Sequence, residues 1–137
     1  MKKWMVSTAI TAGILGVGTI TAFANNHGDT TYSFNFTPGI TGSTVYTSAR
    51  PKYDASSAYM MAQSRSKTQT YTASVVNASN GNFSQTWYVD IQSLNHGYYI
   101  PNNGYEDHGY GVNVKIKGHT GDMLGFRVDG VWSPDSV

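Results

Sequence analysis

Apolar and polar side chains alternate with a period of two along much of this chain, and helical periodicity is nearly absent. That is the pattern of strands with one face toward a core and one toward water. Tyr32, Phe34 and Phe36 alternate with Ser33, Asn35 and Thr37 until Pro38-Gly39 stops the run, and Val45 sits in a short second candidate from Ser43 to Ser48. A longer run from Lys67 to Asn77 puts Tyr71, Ala73 and Val75 on one face. The segment Asn77 to Asn82, with Asn80-Gly81, reads as a turn. The partner expected for that run is Phe83 to Gln92, with Trp87, Val89 and Ile91 alternating. Near the end, Tyr110, Val112, Val114 and Ile116 alternate up to a turn at Gly118 to Asp122, and Leu124, Phe126 and Val128 continue beyond it. These two runs predict a second hairpin. Ser56 to Ser64, rich in Ala and Met, is the one helix candidate, but its apolar stripe is too short to persist alone and a strand fits equally well. The fold expected is all-β, a small antiparallel β-sandwich or barrel of about six to eight short strands.

The opening residues follow another rule. Lys2 and Lys3 precede a run without charge from Val6 to Phe23, which closes on Ala22-Phe23-Ala24 with small residues at −3 and −1. This is the layout of a bacterial-type secretory signal peptide over 1–24, cleaved after Ala24, and it predicts one extracellular β-domain over 25–137. The alternative is an uncleaved anchor, since a run of this length nearly spans a bilayer. The many Thr and Gly residues in the run favour export instead. No second run of comparable length follows, so no stable membrane span is expected after cleavage.

Export changes the meaning of the charge. The whole chain carries +1, but without Lys2 and Lys3 seven Lys and Arg face eight Asp and Glu, close to −1. A polybasic nucleic-acid binder is therefore disfavoured. There is no cysteine, which removes disulfides, thiolate metal sites, a cysteine nucleophile and lipidation at cysteine. The fold must hold by packing, and the rings of ten Tyr, two Trp and four Phe beyond the leader must supply much of the buried area.

Between Asn95 and Tyr110 the chain repeats glycine beside an aromatic ring: His96-Gly97-Tyr98, Gly104-Tyr105 and His108-Gly109-Tyr110. Two readings stand. The tyrosines either cover the sheet as part of a long connection, or Tyr98, Tyr99, Tyr105 and Tyr110 with His96 and His108 form a platform for a polar ligand such as a sugar ring. At the C-terminus, Trp132, Pro134 and Asp135 read as a structural cap, with Trp132 closing the core and Pro134 ending strand pairing.

Catalytic sets are thin. The serine nucleophile elbow, the His-Glu-x-x-His helix and the phosphate-cradling glycine loop with lysine are all missing. Glu106-Asp107-His108 with His96 or His119 offers metal ligands, but neighbours on a strand point to opposite faces. Glu106, the sole glutamate, sits in a turn-like stretch, so a carboxylate pair for glycoside hydrolysis is not expected there. The chain is read as no enzyme, with no cofactor and no metal.

Ser56-Ser57-Ala58-Tyr59, Ser66-Lys67-Thr68 and Thr72-Ala73-Ser74-Val75-Val76-Asn77 with Asn80-Gly81 resemble the central part of the lactococcin 972-like bacteriocins. The resemblance covers about a fifth of the chain. It implies a small, secreted, cysteine-free β-sandwich acting at the Gram-positive cell envelope through the lipid-linked wall precursor. In that family His-Gly-Tyr-Gly-Val precedes the Ser-Ser-Ala-Tyr run, whereas here His108 to Val112 follows it. The closing stretch from Gly130 to Val137 resembles the tail of small secreted Gram-positive proteins of unknown function. The expected function is a secreted, bacteriocin-like or envelope-directed binding protein whose partner is a wall component or wall precursor. The alternatives are a wall-carbohydrate binding module and a structural surface protein.

Overall fold

The computed structural model describes residues 27–137, so the leader expected at 1–24, its cleavage site and the anchor alternative lie outside the described residues. Among the described residues, nine strands and one short helix follow in order: β1 (Thr30–Phe36), β2 (Ser43–Tyr46), β3 (Arg50–Lys52), β4 (Ala58–Arg65), β5 (Tyr71–Asn77), β6 (Val89–Ile91), β7 (Tyr98–Ile100), α1 (Gly104–His108), β8 (Val112–Thr120) and β9 (Phe126–Ser133). They build two antiparallel sheets. One has the order β1-β9-β4-β7, the other β2-β8-β5-β6, with β3 also paired to β8. The architecture is all-β and sandwich-like, and the sheets do not close into a barrel.

Two expectations change, and one open choice is decided. The strand count exceeds the expected range because three-residue segments such as β3 and β7, too short to carry an alternating signature, also pair. Ser56 to Ser64, for which helix and strand fitted equally well, takes the strand: its Ala and Met residues belong to β4, where Ala58, Tyr59, Met60 and Ala62 are buried. The second correction concerns the last two strands, which form no hairpin. β8 lies in the five-stranded sheet and β9 in the four-stranded one. Alternation shows which face of a strand is buried, and that pattern is the same whether the next strand pairs beside it or packs across the core. Gly125, at φ 77°, makes the crossing possible, since a Cβ there would lie 2.5 Å from the Phe36 carbonyl oxygen.

The other expected hairpin forms in part. β5 pairs with β6 over Tyr71 to Ala73, and Asn82 bridges to Val76. Between them the chain turns at Asn77 to Gly81. The Asn77 carboxamide oxygen accepts the N–H groups of Ser79 and Gly81, and Asn80 takes the left-handed conformation that asparagine tolerates.

The core is aromatic across the layers. Tyr32, Phe34 and Phe36 project from β1 and meet Tyr71 of the opposite sheet, with ring centres 5.5 Å apart for Phe34 and 5.4 Å for Phe36. The Tyr32 and Tyr71 hydroxyls share a hydrogen bond of 2.7 Å, and the Tyr71 hydroxyl also lies 3.1 Å from Met60 Sδ. Such ring pairs add about 0.5–1.5 kcal/mol each beyond the area they bury. The inward residues of β8, Val114 and Ile116, complete the layer. Because this face of the five-stranded sheet is spent on the core, the functional question falls on the other face.

Candidate functional site

The outer face of the five-stranded sheet carries its own side-chain order. Inward positions of β8 are Val114, Ile116, Gly118 and Thr120, so Asn113, Lys115, Lys117 and His119 point outward. Register sets one row straight across four strands, Thr44 on β2, His119 on β8, Thr72 on β5 and Asp90 on β6. Its members bond in pairs: the Thr44 hydroxyl lies 2.8 Å from His119 Nδ1, and the Thr72 hydroxyl donates to Asp90 Oδ1 at 2.8 Å. The next row holds Tyr46, Lys117 and Ser74. Lys115 sits one step further along β8, with its ammonium 5.9 Å from the centre of the Tyr46 ring and 3.2 Å from Asn80 Oδ1.

A groove of about 350 Å³ opens on this face, lined by Thr44, Thr72, Ser74, Tyr88, Lys117 and His119. Tyr88 is 64 % exposed at the β6 side of the groove, and Tyr46, 37 % exposed with the Lys115 ammonium over its ring, stands on β2 at the far side of Lys117. Two accessible rings therefore flank hydroxyl, imidazole and ammonium groups. Sequence reasoning pointed elsewhere for a ligand, to the segment after Asn95. The signal for this face was present in the outward set of β8, but it becomes a surface only when β2, β5 and β6 are placed beside that strand.

The C-terminal segment is fastened from below by β3. Lys52 and Asp135 are both fully buried, with Nζ 3.0 Å from Oδ1. The Lys52 ammonium also donates to the carbonyls of Pro134, at 2.8 Å, and Ser56, and the Tyr53 N–H donates to Asp135 Oδ2 at 2.9 Å. All three ammonium protons thus have acceptors, as burial of the charge requires. Burial pushes the Asp135 carboxyl up from its ordinary value, against the pull of the Lys52 ammonium and the Tyr53 N–H. Trp132 is buried, with the Arg50 guanidinium 5.5 Å from its ring centre and Arg50 Nη1 donating to its carbonyl. Trp132, Pro134 and Asp135 therefore all lie inside. Lys52, which nothing in the pattern distinguished, holds two of them.

The family described as a protein of unknown function, DUF2712, matches residues 20–136. The chain belongs to that family. It matches no curated protein and no solved structure.

Within this DUF2712 domain the residues expected to bind a ligand fall into separate pairs. The Tyr98 ring meets His96 edge-on at 4.7 Å, and its hydroxyl accepts the N–H groups of Gln92 and Ser93. Partial desolvation raises the Tyr98 phenol, but those hydrogen bonds outweigh it and hold the group below its ordinary range. Tyr99, the next residue on β7, faces the other way and packs beside Tyr59 at 5.4 Å. Tyr110 is 61 % exposed and stacks on Tyr53 at 4.7 Å with 26° between the planes. His108 lies against Phe83 at 5.7 Å, and Tyr105 is half-buried on α1. With Tyr98 and Tyr99 on opposite faces of one strand, the six residues do not share one flat surface.

Glu106, Asp107 and His108 sit on α1 rather than on a strand, so the argument from alternating faces does not apply to them. Asp107 caps the loop at Ser84 instead, accepting its N–H and hydroxyl at 2.7 Å each, which lowers the carboxyl below its ordinary value. Among the described residues no three His, Asp or Glu side chains gather to hold a metal ion, and no helix is long and apolar enough to cross a membrane.

Proposed function

We propose that this chain is an extracellular, envelope-directed binding protein that works without catalysis and holds a polar wall polymer on the outer face of its five-stranded sheet. One observation carries the reading: two exposed rings, Tyr46 on β2 and Tyr88 just before β6, stand on either side of Lys117 and Ser74, one row over from Thr44, His119, Thr72 and Asp90. Tyrosine faces suit the C–H surfaces of a sugar or polyol, and the row beside them offers hydrogen bonds to its hydroxyls. Side chains set on paired strands are presented without rearrangement, which lowers the ordering cost of binding. The leader layout at 1–24 supports the location, and the lack of a catalytic set in the sequence supports binding over turnover.

Sedimentation with isolated Gram-positive cell walls tests this reading, using protein recovered from the medium of cells expressing the whole chain. Tyr46→Ala with Tyr88→Ala should release the protein from the walls, while Tyr98→Ala with Tyr105→Ala and Tyr110→Ala should not. Equal sedimentation of the wild type and the Tyr46, Tyr88 variant overturns the sheet-face reading. Loss confined to the second set moves the site to the segment after Asn95.

A second reading, a bacteriocin-like protein acting at the cell envelope through the lipid-linked wall precursor as the lactococcin 972-like resemblance implies, is favoured by a different surface. Ile40 in the β1–β2 loop, Leu94 in the β6–β7 loop, and Met123 and Leu124 in the β8–β9 loop are all exposed at one end of the sandwich, Ile40 to 89 %. Two of these loops are tied by the Gly39 N–H donating to the Met123 carbonyl at 3.1 Å. An apolar tip of this kind marks an interaction surface. Growth inhibition of Gram-positive cells that disappears in Ile40→Ser with Leu124→Ser would establish this reading, and absence of inhibition across a broad strain panel would remove it.

A further inference from the structure

We infer that the outer face of the five-stranded sheet takes a phosphodiester-linked polymer laid along β8, with Lys117 and Lys115 meeting successive phosphates. This rests on the sheet-face reading above and adds the chemistry of the ligand. The domain as a whole has slightly more acids than bases once Lys2 and Lys3 are set aside, yet the outward positions of β8 carry Lys115, Lys117 and His119 and no acid. The one acid in the rows beside them, Asp90, already accepts the Thr72 hydroxyl. The positive charge of this face is therefore local, and it faces a groove.

Lys117 is the decisive residue. The strand cations elsewhere are engaged, Lys52 with Asp135, Arg127 with Asp129, Arg50 with the Trp132 carbonyl and Arg65 with the Gln92 carbonyl, while Lys115 on this face hydrogen-bonds only to the neutral, exposed Asn80 carboxamide and keeps its charge unpaired by any acid. Lys117 lines the groove, and among the described residues it has no hydrogen-bond or ion-pair partner. An ammonium in a groove wall without a carboxylate or carbonyl partner suits an anion. His119 adds a ring nitrogen on the same line, since its Nδ1 is engaged by Thr44 and its Nε2 is left open.

Spacing selects the kind of anion. Outward residues of one strand recur about every 6.8 Å, a separation suited to phosphates joined by short polyol bridges in an extended chain. Rings at Tyr46 and Tyr88 then meet the polyol carbons, and Thr44 and Thr72 meet the hydroxyls. Single exposed contacts are weak, so affinity must come from several repeats bound together, with release of counterions from the polymer. A neutral glycan would use the rings and hydroxyls but leave the lysine row idle.

The test compares retention of the secreted protein on immobilised poly(glycerol phosphate), polyglutamate, dextran and single-stranded DNA over a salt series, beside sedimentation with native walls and with walls stripped of phosphodiester polymers. Preferential retention on poly(glycerol phosphate), weakening as salt rises, is expected. Lys117→Gln should weaken it about fivefold and reduce the slope of log affinity against log salt by roughly 0.7. Lys117→Arg should restore most of the affinity and Lys67→Gln, in the β4–β5 loop, should change nothing. Undiminished sedimentation with stripped walls, or retention independent of salt and of Lys117, overturns the phosphate assignment while leaving the sheet-face reading intact. Stronger retention on polyglutamate or on DNA also overturns it. Failure of the Tyr46, Tyr88 variant to lose native walls instead removes the sheet-face reading itself.

Discussion

Lys52 and Asp135, 83 residues apart in sequence, form a fully buried ion pair that fastens the C-terminal segment to β3. No other lysine of the described chain is so enclosed, and its three protons are spent on Asp135, Pro134 and Ser56. The arrangement closes the end of the core beside Trp132. It also fixes the segment that passes under Tyr53, whose ring carries the exposed Tyr110 stack.

Removing one partner should cost far more than removing both. Asp135→Asn leaves a fully buried ammonium without its counter-charge, and loss of one member of a buried pair costs about 3–5 kcal/mol. Lys52→Met with Asp135→Leu removes both charges and keeps much of the volume. Since burial already pushes the Asp135 carboxyl up, the ionised pair opposes folding through desolvation, and the double variant should stand close to the wild type. Urea unfolding followed by tryptophan fluorescence checks this. A double variant as unstable as Asp135→Asn would show that the pair's hydrogen bonds, and not its charges, hold the tail.

Gly118 lies at the centre of β8 with its missing side chain aimed at the aromatic cluster. A Cβ there would come within 2.6 Å of Phe34 Cε2 and 3.3 Å of Phe36 Cζ, in a core where both rings are already packed on Tyr71. Gly118→Ala should therefore destabilise by about 1–3 kcal/mol through overpacking. Gly121→Ala, with open space at the Cβ position, should stay within about 0.5 kcal/mol of wild type. Thermal melts of the two variants decide the point, and equal melting temperatures would mean that the Phe34 ring yields freely.

The inward faces were legible because alternation reports burial directly. Tyr32, Phe34 and Phe36 on β1, Tyr71, Ala73 and Val75 on β5, and Val114 and Ile116 on β8 all lie in the core as the pattern indicates. The pairing of β8 and β9 was not legible, since strands facing each other across a core carry the same alternation as strands joined in a hairpin. Leu124 shows the cost of extending a pattern through a crossing: it continues the period of β9 yet stands outside that strand and exposed. Lys52 was invisible for a different reason. A charged residue is buried only with its partner, and that partner is at the far end of the chain. The groove residues were equally hidden, because Thr44, Thr72, Tyr88 and Lys117 come from separate segments with ordinary compositions.

The tyrosines give the fold an alkaline limit whose sign follows from their burial. Burial pushes the Tyr32 phenol up to about 12, against the pull of its hydrogen bond with Tyr71. It also drives Tyr71 well above its ordinary value. A raised phenol favours the protonated, folded form. Its contribution is therefore complete below the unfolded value near 10 and is lost as pH climbs through the folded value. For Tyr32 the rise to about 12 corresponds to roughly 2–3 kcal/mol at the top of that window. Stability should thus hold to about pH 10 and fall steeply toward pH 12, with tyrosinate absorbance rising in two phases, the later one coinciding with loss of the near-ultraviolet circular dichroism of the core. Tyr71→Phe should move that loss to higher pH, since it removes the more deeply buried ionisable group, at a cost at neutral pH of about 1 kcal/mol for the hydrogen bond. A single absorbance phase near pH 10 with the fold intact would show that water reaches both phenols and that the aromatic core is looser than the 2.7 Å contact between their hydroxyls implies.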